Sequence, residues 1–489
     1  MFEAAEVGDK VSKEAFKAEI PKLRTALLEA QRALAKGDFS LIVLIGGVEG
    51  AGKTEFANRV LEWLDGRGLE VHAWGEPTDE ERERPFFWRF WRILPGKGKA
   101  AFMLNSWYTD PIVGRVYKKS DDAELDQQLD RIVDFEKMLA GENVLLVKLW
   151  FHLSKKGQKK RLRELEKDPD NRWRVTAMDW KFHKKYDRFR KVCEHALMKT
   201  NTTHAPWNVI EASDRRHRDQ TGTKVLLEAL QKRIKQGKIA VERSPDLPKP
   251  KPKNIIRRLD MGLKLGPKEY DAQIERLQGR LGLLSRRLRD EGRSMILAFE
   301  GPDAAGKGGV IRRITQSMDA RLYRLMSVAA PTDEEKIRPY LWRFWRALPR
   351  VGRFTIYDRS WYGRVLVERV EGFAAAEEWR RAYGEINAFE EQLAGAGTII
   401  RKFWIALSSD EQLRRFKDRQ KTPYKQYKIT EEDWRNRAKW DAYEAAACDM
   451  VERTSTEHAP WVLVEGNDKL WARVKVLKTV VEALEKGLS

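Results

Sequence analysis

The sequence has few cysteines, no long apolar run and no acidic excess, and each absence excludes a class of protein. Two cysteines, Cys193 and Cys448, stand in 489 residues, which is too few for a disulfide framework and lacks the spacing of a zinc site. No run of about 18 apolar residues occurs, so we expect neither a membrane span nor a membrane partner. Because residues 1–24 lack an apolar signal-peptide core, we expect a reduced, cytoplasmic protein.

Basic residues dominate the charge. The chain has 94 Lys and Arg against 74 Asp and Glu, a formal net charge of +20. A surplus of this size predicts a polyanionic partner such as nucleic acid, anionic lipid or a phosphate-rich substrate.

The chain repeats itself at one constant offset of 254 positions. Residues 47–54 align with 301–308, and Trp-Arg-Phe-Trp-Arg at 88–92 recurs at 342–346. The Ser-Trp-Tyr and His-Ala-Pro-Trp motifs recur at the same offset. Because this offset far exceeds the period of solenoid repeats, we predict a duplicated domain.

A proline-rich segment separates the two repeats. Residues 244–253 contain four prolines, which neither a helix nor a central strand accommodates. We therefore predict a first domain at 1–242, a linker at 243–253 and a second domain at 254–489.

Within each repeat, short apolar runs alternate with helical patterns. The first such runs, at 41–45 and 295–299, lead directly into Gly-rich turns. Continuous apolar strands separated by helices predict a parallel sheet covered on both faces. The predicted fold class is α/β, with two tandem three-layer αβα domains.

The turn after the first strand of each repeat matches a phosphate-binding loop. It reads Gly-Val-Glu-Gly-Ala-Gly-Lys-Thr at 47–54 and Gly-Pro-Asp-Ala-Ala-Gly-Lys-Gly at 301–308. In such a loop the backbone N–H groups and the start of the next helix bind phosphate oxygens, and the lysine adds a charge. In the second repeat the predicted phosphate-binding residues are Lys307 with Gly301, Ala304, Ala305, Gly306, Gly308 and Gly309.

The loop of the second repeat lacks the hydroxyl that usually binds Mg²⁺, because Gly308 stands at that position. Other oxygen ligands are then needed. Asp303, within the loop, and Asp358, at the end of a β-like run, are the carboxylates that we expect to hold Mg²⁺ or Mn²⁺. A helix cap is the alternative for Asp358.

The first repeat departs from this pattern at five positions. A leucine cannot bind Mg²⁺, and an aspartate in place of an arginine repels phosphate, so we predict that the first repeat has lost catalysis. Lys53 and Thr54 could still hold an anion there. In the first repeat Glu49, Leu104, Asn105, Asp110 and Gly114 replace Asp303, Asp358, Arg359, Arg364 and Glu368.

The second repeat closely resembles the polyphosphate kinase 2 family. The resemblance rests on the segments 301–309 and 358–364, and continues through 368–373, 421–428 and 454–461. A tandem chain with motifs intact only in the second copy resembles the class II members. The resemblance implies a thymidylate-kinase-like P-loop fold with a helical lid, and phosphorylation of AMP to ADP by inorganic polyphosphate.

The resemblance also implies roles for the motif residues. Asp303 and Asp358 match the Mg²⁺-associated carboxylates, and Lys307 matches the loop lysine. Arg359 and Arg364 match the motif arginines, whose planar groups suit fixed clamps on phosphate oxygens.

A basic stretch after Leu407 corresponds to the lid of that family. Between Gln412 and Trp440 there are ten Lys or Arg and four acids. Flexible lysine side chains could hold a polyphosphate chain in many alternative registers. Because the binding would depend on charge, we expect the affinity for polyphosphate to fall as the salt concentration rises. A solvated helix face is the alternative. The clustered candidates are Arg414, Arg415, Lys417, Lys421, Lys425 and Lys428.

Three further residues are candidates for contact with the nucleotide. Thr332 follows a strand-like segment and could instead cap a helix. Arg343 lies in the repeated Trp-Arg-Phe-Trp-Arg motif, whose aromatic rings could stack on a base or simply pack in the core. Glu368 could support the site as an additional carboxylate.

The sequence leaves alternatives to a polyphosphate:AMP phosphotransferase. ADP as the acceptor is one, and an ATP-dependent nucleotide kinase is another, although such a kinase would keep the hydroxyl that Gly308 lacks. A nucleic-acid-binding protein would explain neither the duplicated loop nor the paired aspartates. The first repeat could serve as a scaffold, a dimer surface or an accessory chain-binding site, and a homodimer is a further expectation.

Overall fold

The computed structural model describes residues 1–237 and 255–489, so the predicted linker lies outside the described residues. Contacts divide them into two compact units. Unit 1 comprises residues 1–77, 89–237 and 331–343, and unit 2 comprises residues 78–88, 255–330 and 344–489. Each unit thus includes a short segment from the other repeat. The boundaries drawn from the sequence do not include these segments, because no proline-rich composition marks them.

The first repeat contains five strands and ten α-helices within the described residues, besides two short 3-10 helices. Its elements are α1 (Lys13–Leu34), β1 (Ser40–Gly47), α2 (Lys53–Trp63), β2 (Leu69–Ala73), α3 (Asp79–Arg82), α4 (Trp88–Trp91), β3 (Ala100–Leu104), α5 (Thr109–Val116), α6 (Asp122–Gly141), β4 (Val144–His152), α7 (Lys155–Lys167), α8 (Ala177–Lys184), α9 (Tyr186–Lys199), β5 (Trp207–Glu211) and α10 (Arg215–Gln236).

The second repeat follows the same order. Its elements are α11 (Pro267–Asp290), β6 (Ser294–Glu300), α12 (Lys307–Thr315), β7 (Tyr323–Ser327), α13 (Asp333–Lys336), α14 (Trp342–Arg346), β8 (Phe354–Asp358), α15 (Val367–Val370), α16 (Ala376–Gly395), β9 (Thr398–Ala406), α17 (Ser409–Lys421), α18 (Glu431–Ala438), α19 (Trp440–Thr454), β10 (Trp461–Glu465) and α20 (Lys469–Gly487).

Each repeat forms a parallel five-stranded sheet with one strand order. The orders are β2-β3-β1-β4-β5 and β7-β8-β6-β9-β10. Every residue of β6 is buried, as a central strand covered on both faces requires. Alternate residues of β6, namely Met295, Leu297 and Phe299, join the core formed with α11, α12 and α20. The predicted α/β three-layer fold is confirmed.

The opposite face of the second sheet is anchored by a buried ion pair. Lys402 of β9 lies 2.7 Å from Glu390 of α16, and both side chains are fully buried. Glu390 also accepts hydrogen bonds from Trp361 and Tyr362, which fixes the segment that follows Asp358. The first repeat has the same arrangement between Lys148 and Glu136, so this network belongs to the shared scaffold.

The central strands carry the candidate site to one edge of the sheet. β6 pairs in parallel with β8, and Phe299 lies opposite Asp358 in the register. The loop after β6 and the carboxylate at the end of β8 therefore meet at the carboxyl edge, where open α/β sheets bind ligands. Among the helices of the described residues, none combines the length and apolarity that a membrane crossing needs.

Candidate active site

The loop between β6 and α12 has the backbone that phosphate binding requires. Gly301 and Gly306 have φ angles of 146° and 106°, in the region that favours glycine. A Cβ at Gly301 would lie 2.5 Å from the carbonyl oxygen of Ile405, so only glycine fits beside β9. Gly308 has open space around its Cα, which leaves the start of α12 accessible.

Lys307 lies under this loop. Its Nζ donates to the carbonyl oxygen of Gly301 at 2.7 Å. Burial lowers the pKa of Lys307, while the charge of Asp303 opposes that shift. The ammonium is thus held at the loop by a neutral acceptor.

Asp303 has both carboxylate oxygens occupied. Oδ1 accepts from Nη2 of Arg359 at 2.9 Å, and Oδ2 accepts from Nδ2 of Asn436 at 3.0 Å. Burial opposes ionisation, but the charges of Lys307 and Arg359 outweigh it and hold the pKa of Asp303 below its usual value. Asp303 is therefore an ionised carboxylate at neutral pH.

Asp358 ends β8 beside the loop, as the sequence predicts. Its charge favours the ionised forms of both Lys307 and Arg359, which brings all three into one electrostatic cluster with Asp303. The helical turn that follows is capped by Ser360, so Asp358 is not the cap. Within residues 1–237 and 255–489, no three His, Cys, Asp or Glu side chains gather closely enough to hold a metal ion.

A cleft of about 110 Å³ opens beside this cluster in unit 2. Asp303 and Arg359 form part of its wall, together with the buried carboxylate of Glu300. Burial raises the pKa of Glu300, which accepts a hydrogen bond from Oγ of Ser360 at 2.7 Å. Much of the remaining lining is apolar or aromatic, with Ile256, Leu366, Val367, Trp404, Trp440 and Tyr443.

Several functional neighbours of the loop are missed by the sequence interpretation. Gln412 donates to the carbonyl oxygen of Asp303 at 3.1 Å, and Asn436 binds its side chain. Both lie more than 100 residues from Asp303, so no local motif could reveal them. The signal that could have found Asn436 is the comparison of repeats, because a phenylalanine, Phe182, occupies its position in the first repeat.

The basic lid divides into two parts. Arg415 is buried and donates to the carbonyl oxygens of Ala304 and Ala305 at 3.0 and 3.1 Å, so its expected place among polyphosphate-binding cations is corrected to a support of the loop. Arg414 is exposed but pairs with Glu411 and Asp418. Four exposed lysines have no acidic group within 4 Å among the residues that the structure describes, namely Lys417, Lys421, Lys425 and Lys428.

The other residues predicted from the sequence to act in the site, or to contact the nucleotide, pair with each other or lie away from the cleft. Arg364 and Glu368 form an ion pair at 3.0 Å. Thr332 caps α13 in a capping box with Glu335, which confirms the structural alternative for that residue. Thr332 and Arg343 fall in the segment assigned to unit 1, and neither lines the cleft of unit 2. The tryptophans beside Arg343 are buried in the core.

The equivalent loop of the first repeat is closed by its own side chains. Lys53 donates to the carbonyl oxygen of Gly47 at 3.0 Å, as Lys307 does to that of Gly301, and it also forms an ion pair with Glu49 at 3.0 Å. Leu104, at the position of Asp358, is buried. Glu55 lies in the first turn of α2, and its carboxylate pairs with Arg161, Arg174 and Arg218.

Comparison with known proteins agrees with this geometry. A family model described as polyphosphate kinase 2 matches residues 10–238 and 264–488. The polyphosphate:AMP phosphotransferases of Pseudomonas aeruginosa and Pseudomonas syringae are 50% and 47% identical, covering 99% and 100% of this chain and 99% of each relative. The crystal structure of a polyphosphate kinase 2 from Pseudomonas aeruginosa superposes with a TM-score of 0.90 at 48% identity, covering 100% of this chain and 99% of that one.

Proposed function

Because the chain belongs to the polyphosphate kinase 2 family, we propose that it transfers the terminal phosphoryl group of inorganic polyphosphate to AMP, giving ADP. The observation that carries this proposal is the cluster of Asp303, Lys307, Asp358 and Arg359 around an open phosphate loop in unit 2. The first repeat lacks three of these four residues.

The reaction exchanges one P–O bond for another. An oxygen of the AMP phosphate attacks the terminal phosphorus of the chain, and the bond from that phosphorus to the bridging oxygen breaks. The shortened polyphosphate leaves with the electron pair. Because the attacking oxygen is already anionic, no general base is required.

The protein must instead bring two anions together and align them. Lys307 and the N–H groups at the start of α12 are suited to hold the terminal phosphate. Arg359 is suited to neutralise charge on the transferred group, and in-line placement of the two phosphates accounts for much of the rate enhancement.

Mg²⁺ fits the donor set of this cluster. Magnesium in phosphoryl-transfer sites is bound by one or two carboxylates with substrate phosphates and water completing its coordination. Asp303 and Asp358 would supply those carboxylates, so a third acidic ligand is not needed. The ion would neutralise charge on the phosphate oxygens.

AMP is favoured as the acceptor by the agreement of full-length relatives on that substrate. The loop itself does not favour an ATP-dependent kinase, because Gly308 lacks the usual hydroxyl. The four lysines of the lid suit an extended inorganic chain. The cytoplasmic location and the homodimer stay predictions from the sequence.

The test is ADP formation from AMP and polyphosphate by the full chain, with no ATP present. We expect turnover in the wild type and none in Asp358→Asn. If the wild type forms no ADP under these conditions but phosphorylates a nucleotide or nucleoside with ATP, the proposal is wrong and the ATP-dependent alternative is correct.

A further inference from the structure

Asn436 connects the lid to the phosphate loop. It lies on α18, 133 residues after Asp303, and its Nδ2 donates to Oδ2 of Asp303 at 3.0 Å. Arg359 holds the other oxygen of the same carboxylate. With both oxygens bound, the carboxylate has one orientation in the site.

The amide of Asn436 is itself oriented by Tyr443 of α19. The Tyr443 hydroxyl lies 3.1 Å from Oδ1 of Asn436, an atom that can only accept. The Tyr443 hydroxyl has one proton and a second acceptor in Oε1 of Glu371, so it donates to one of the two at a time. When it donates to Oδ1, it favours the orientation that turns Nδ2 toward Asp303, whereas a flipped amide would place two acceptors against each other.

Glu371 completes the chain of contacts. Its Oε1 lies 3.2 Å from the Tyr443 hydroxyl, and its carboxylate pairs with Lys439 at 2.8 Å and with Arg435 at 3.3 Å. The Glu371 side chain is only 5% exposed. Burial, reinforced by the charge of Glu371, raises the pKa of Tyr443, so the hydroxyl keeps its proton at neutral pH.

The first repeat keeps the surrounding scaffold but replaces this chain of contacts. The positions of Glu371, Asn436 and Tyr443 hold Tyr117, Phe182 and Phe189. Those three rings pack edge to face, with centroids 5.2 to 6.3 Å apart.

A neighbouring contact serves as an internal reference. Gln158 donates to the carbonyl oxygen of Glu49 at 3.1 Å, as Gln412 does to that of Asp303. The contact that holds the loop backbone is therefore common to both repeats. The polar contacts from Glu371 to Asn436 are present only in the repeat that has Asp303. The fold itself therefore does not require these contacts.

We propose that Asn436 and Tyr443 are positioning residues that orient the Asp303 carboxylate for phosphoryl transfer. The proposal rests on the proposed function, because the reaction it describes is the transfer from polyphosphate. Since α18 lies within the basic lid and α19 follows it, this contact couples the position of those helices to the orientation of the Asp303 carboxylate.

The first experiment removes the donor. Asn436→Leu keeps the approximate volume, and we expect kcat to fall by about 10- to 100-fold because a misplaced reacting group costs this much. KM for AMP and for polyphosphate should change far less. Phe182→Leu, at the equivalent position of the first repeat, is the matched control and should keep wild-type kinetics.

The split between kcat and KM decides between two roles, because Asn436 also lines the cleft. A raised KM for AMP with unchanged kcat would show that Asn436 contacts the acceptor and would overturn the positioning role. Wild-type kinetics in Asn436→Leu would also overturn it. An inactive wild type would instead disprove the proposed function.

The second experiment reverses the polarity of the contact. Asn436→Asp replaces the donor with a carboxylate that faces Asp303, so kcat should fall at least as far as in Asn436→Leu, while KM for AMP and for polyphosphate should change far less. A kcat close to that of the wild type would contradict the proposal.

The role of Tyr443 is tested through Asn436. Tyr443→Phe removes only the hydroxyl and should lower kcat in the same direction as Asn436→Leu, but less. Because Tyr443 acts through Asn436, the double variant should be no worse than Asn436→Leu alone. Additive losses would show that the two residues act independently.

Discussion

At the scale of single residues, the same amino acid has a different role in each repeat. Lys53 and Lys307 occupy the same position in the same loop motif. Both lysines donate to the equivalent glycine carbonyl, but Lys53 also forms an ion pair with Glu49. The corresponding carboxylate of the second repeat, Asp303, is bound instead by Arg359 and Asn436. A lysine whose charge is already paired contributes little to binding another anion.

This difference predicts unequal effects of one substitution. Lys307→Ala should lower kcat/KM by about 100- to 1,000-fold, the usual cost of removing one group that stabilises transition-state charge. Lys53→Ala should stay within about twofold of the wild type. Steady-state ADP formation by both variants checks this. Equal losses would show that the first repeat takes part in the reaction.

The ionisation of Asp303 predicts the acid limb of the pH profile. Its pKa is held below the usual value despite burial, through the charges of Lys307 and Arg359. Activity that depends on the ionised carboxylate should therefore persist as pH falls through the ordinary range of aspartate, about 3.9 in the free side chain. Arg359→Gln removes one cation, so the pKa of Asp303 should rise and the acid limb should move to higher pH.

The measurement is kcat/KM against pH for the wild type and Arg359→Gln. Arg312→Gln is a suitable control, since Arg312 is an exposed cation on α12. It should leave the limb in place. An acid limb that does not move in Arg359→Gln would show that Asp303 is not the group that titrates.

At the scale of elements, the sequence predicts the repeat, the strand-loop-helix units and the central position of β6. These follow from local signals, namely apolar runs and glycine spacing, because a buried parallel strand and a phosphate loop each depend on neighbouring residues. The contacts of Asn436, Gln412 and Arg415 with the loop could not be predicted in this way. They join residues more than 100 positions apart, and a polar residue on a lid helix has no periodicity that marks its partner.

The lid gives an element-scale prediction. Replacing Lys417, Lys421, Lys425 and Lys428 by glutamine should raise KM for polyphosphate by about tenfold or more and flatten its dependence on salt, because fewer counterions are released on binding. The value of kcat should change little, since these side chains hold the chain away from the reacting phosphate.

The first repeat again supplies a matched control. Arg163 and Lys167 stand at the positions of Lys417 and Lys421, and both are exposed. The double variant Arg163→Gln with Lys167→Gln should keep the wild-type KM and salt dependence. An unchanged KM in the four-lysine variant would mean that the lid does not hold polyphosphate.

At the scale of the whole molecule, the two repeats share a scaffold and differ in what fills the phosphate loop. In the first repeat the Glu55 carboxylate lies 3.0, 2.8 and 3.1 Å from Arg161, Arg174 and Arg218. Burial opposes its ionisation, but these arginines hold the pKa of Glu55 below its usual value. Gly309 stands at the equivalent position of the second repeat, so no carboxylate is present there, and a Cβ at Gly309 would lie 3.5 Å from Nη2 of Arg473.

Glu55 thus takes the place of a bound anion, and this predicts a chemical rescue. Glu55→Gln removes the carboxylate that Arg161, Arg174 and Arg218 share, although Arg218 keeps its buried pair with Asp219 at 2.7 Å, so the stability of unit 1 should fall by about 1–3 kcal/mol. Pyrophosphate can occupy the released arginines and should therefore raise the thermal midpoint of this variant more than that of the wild type. Thermal denaturation with and without pyrophosphate measures the difference.

The control for this rescue is Glu62→Gln, which breaks an exposed pair with Arg59. Exposed pairs contribute about 0–1 kcal/mol, so this variant should gain no more from pyrophosphate than the wild type does. If Glu55→Gln gains no more than Glu62→Gln, the three arginines do not form an anion site. If it gains more, the first repeat is a phosphate-binding loop that is occupied by its own side chain, which explains why both repeats keep the loop and only one is open to substrate.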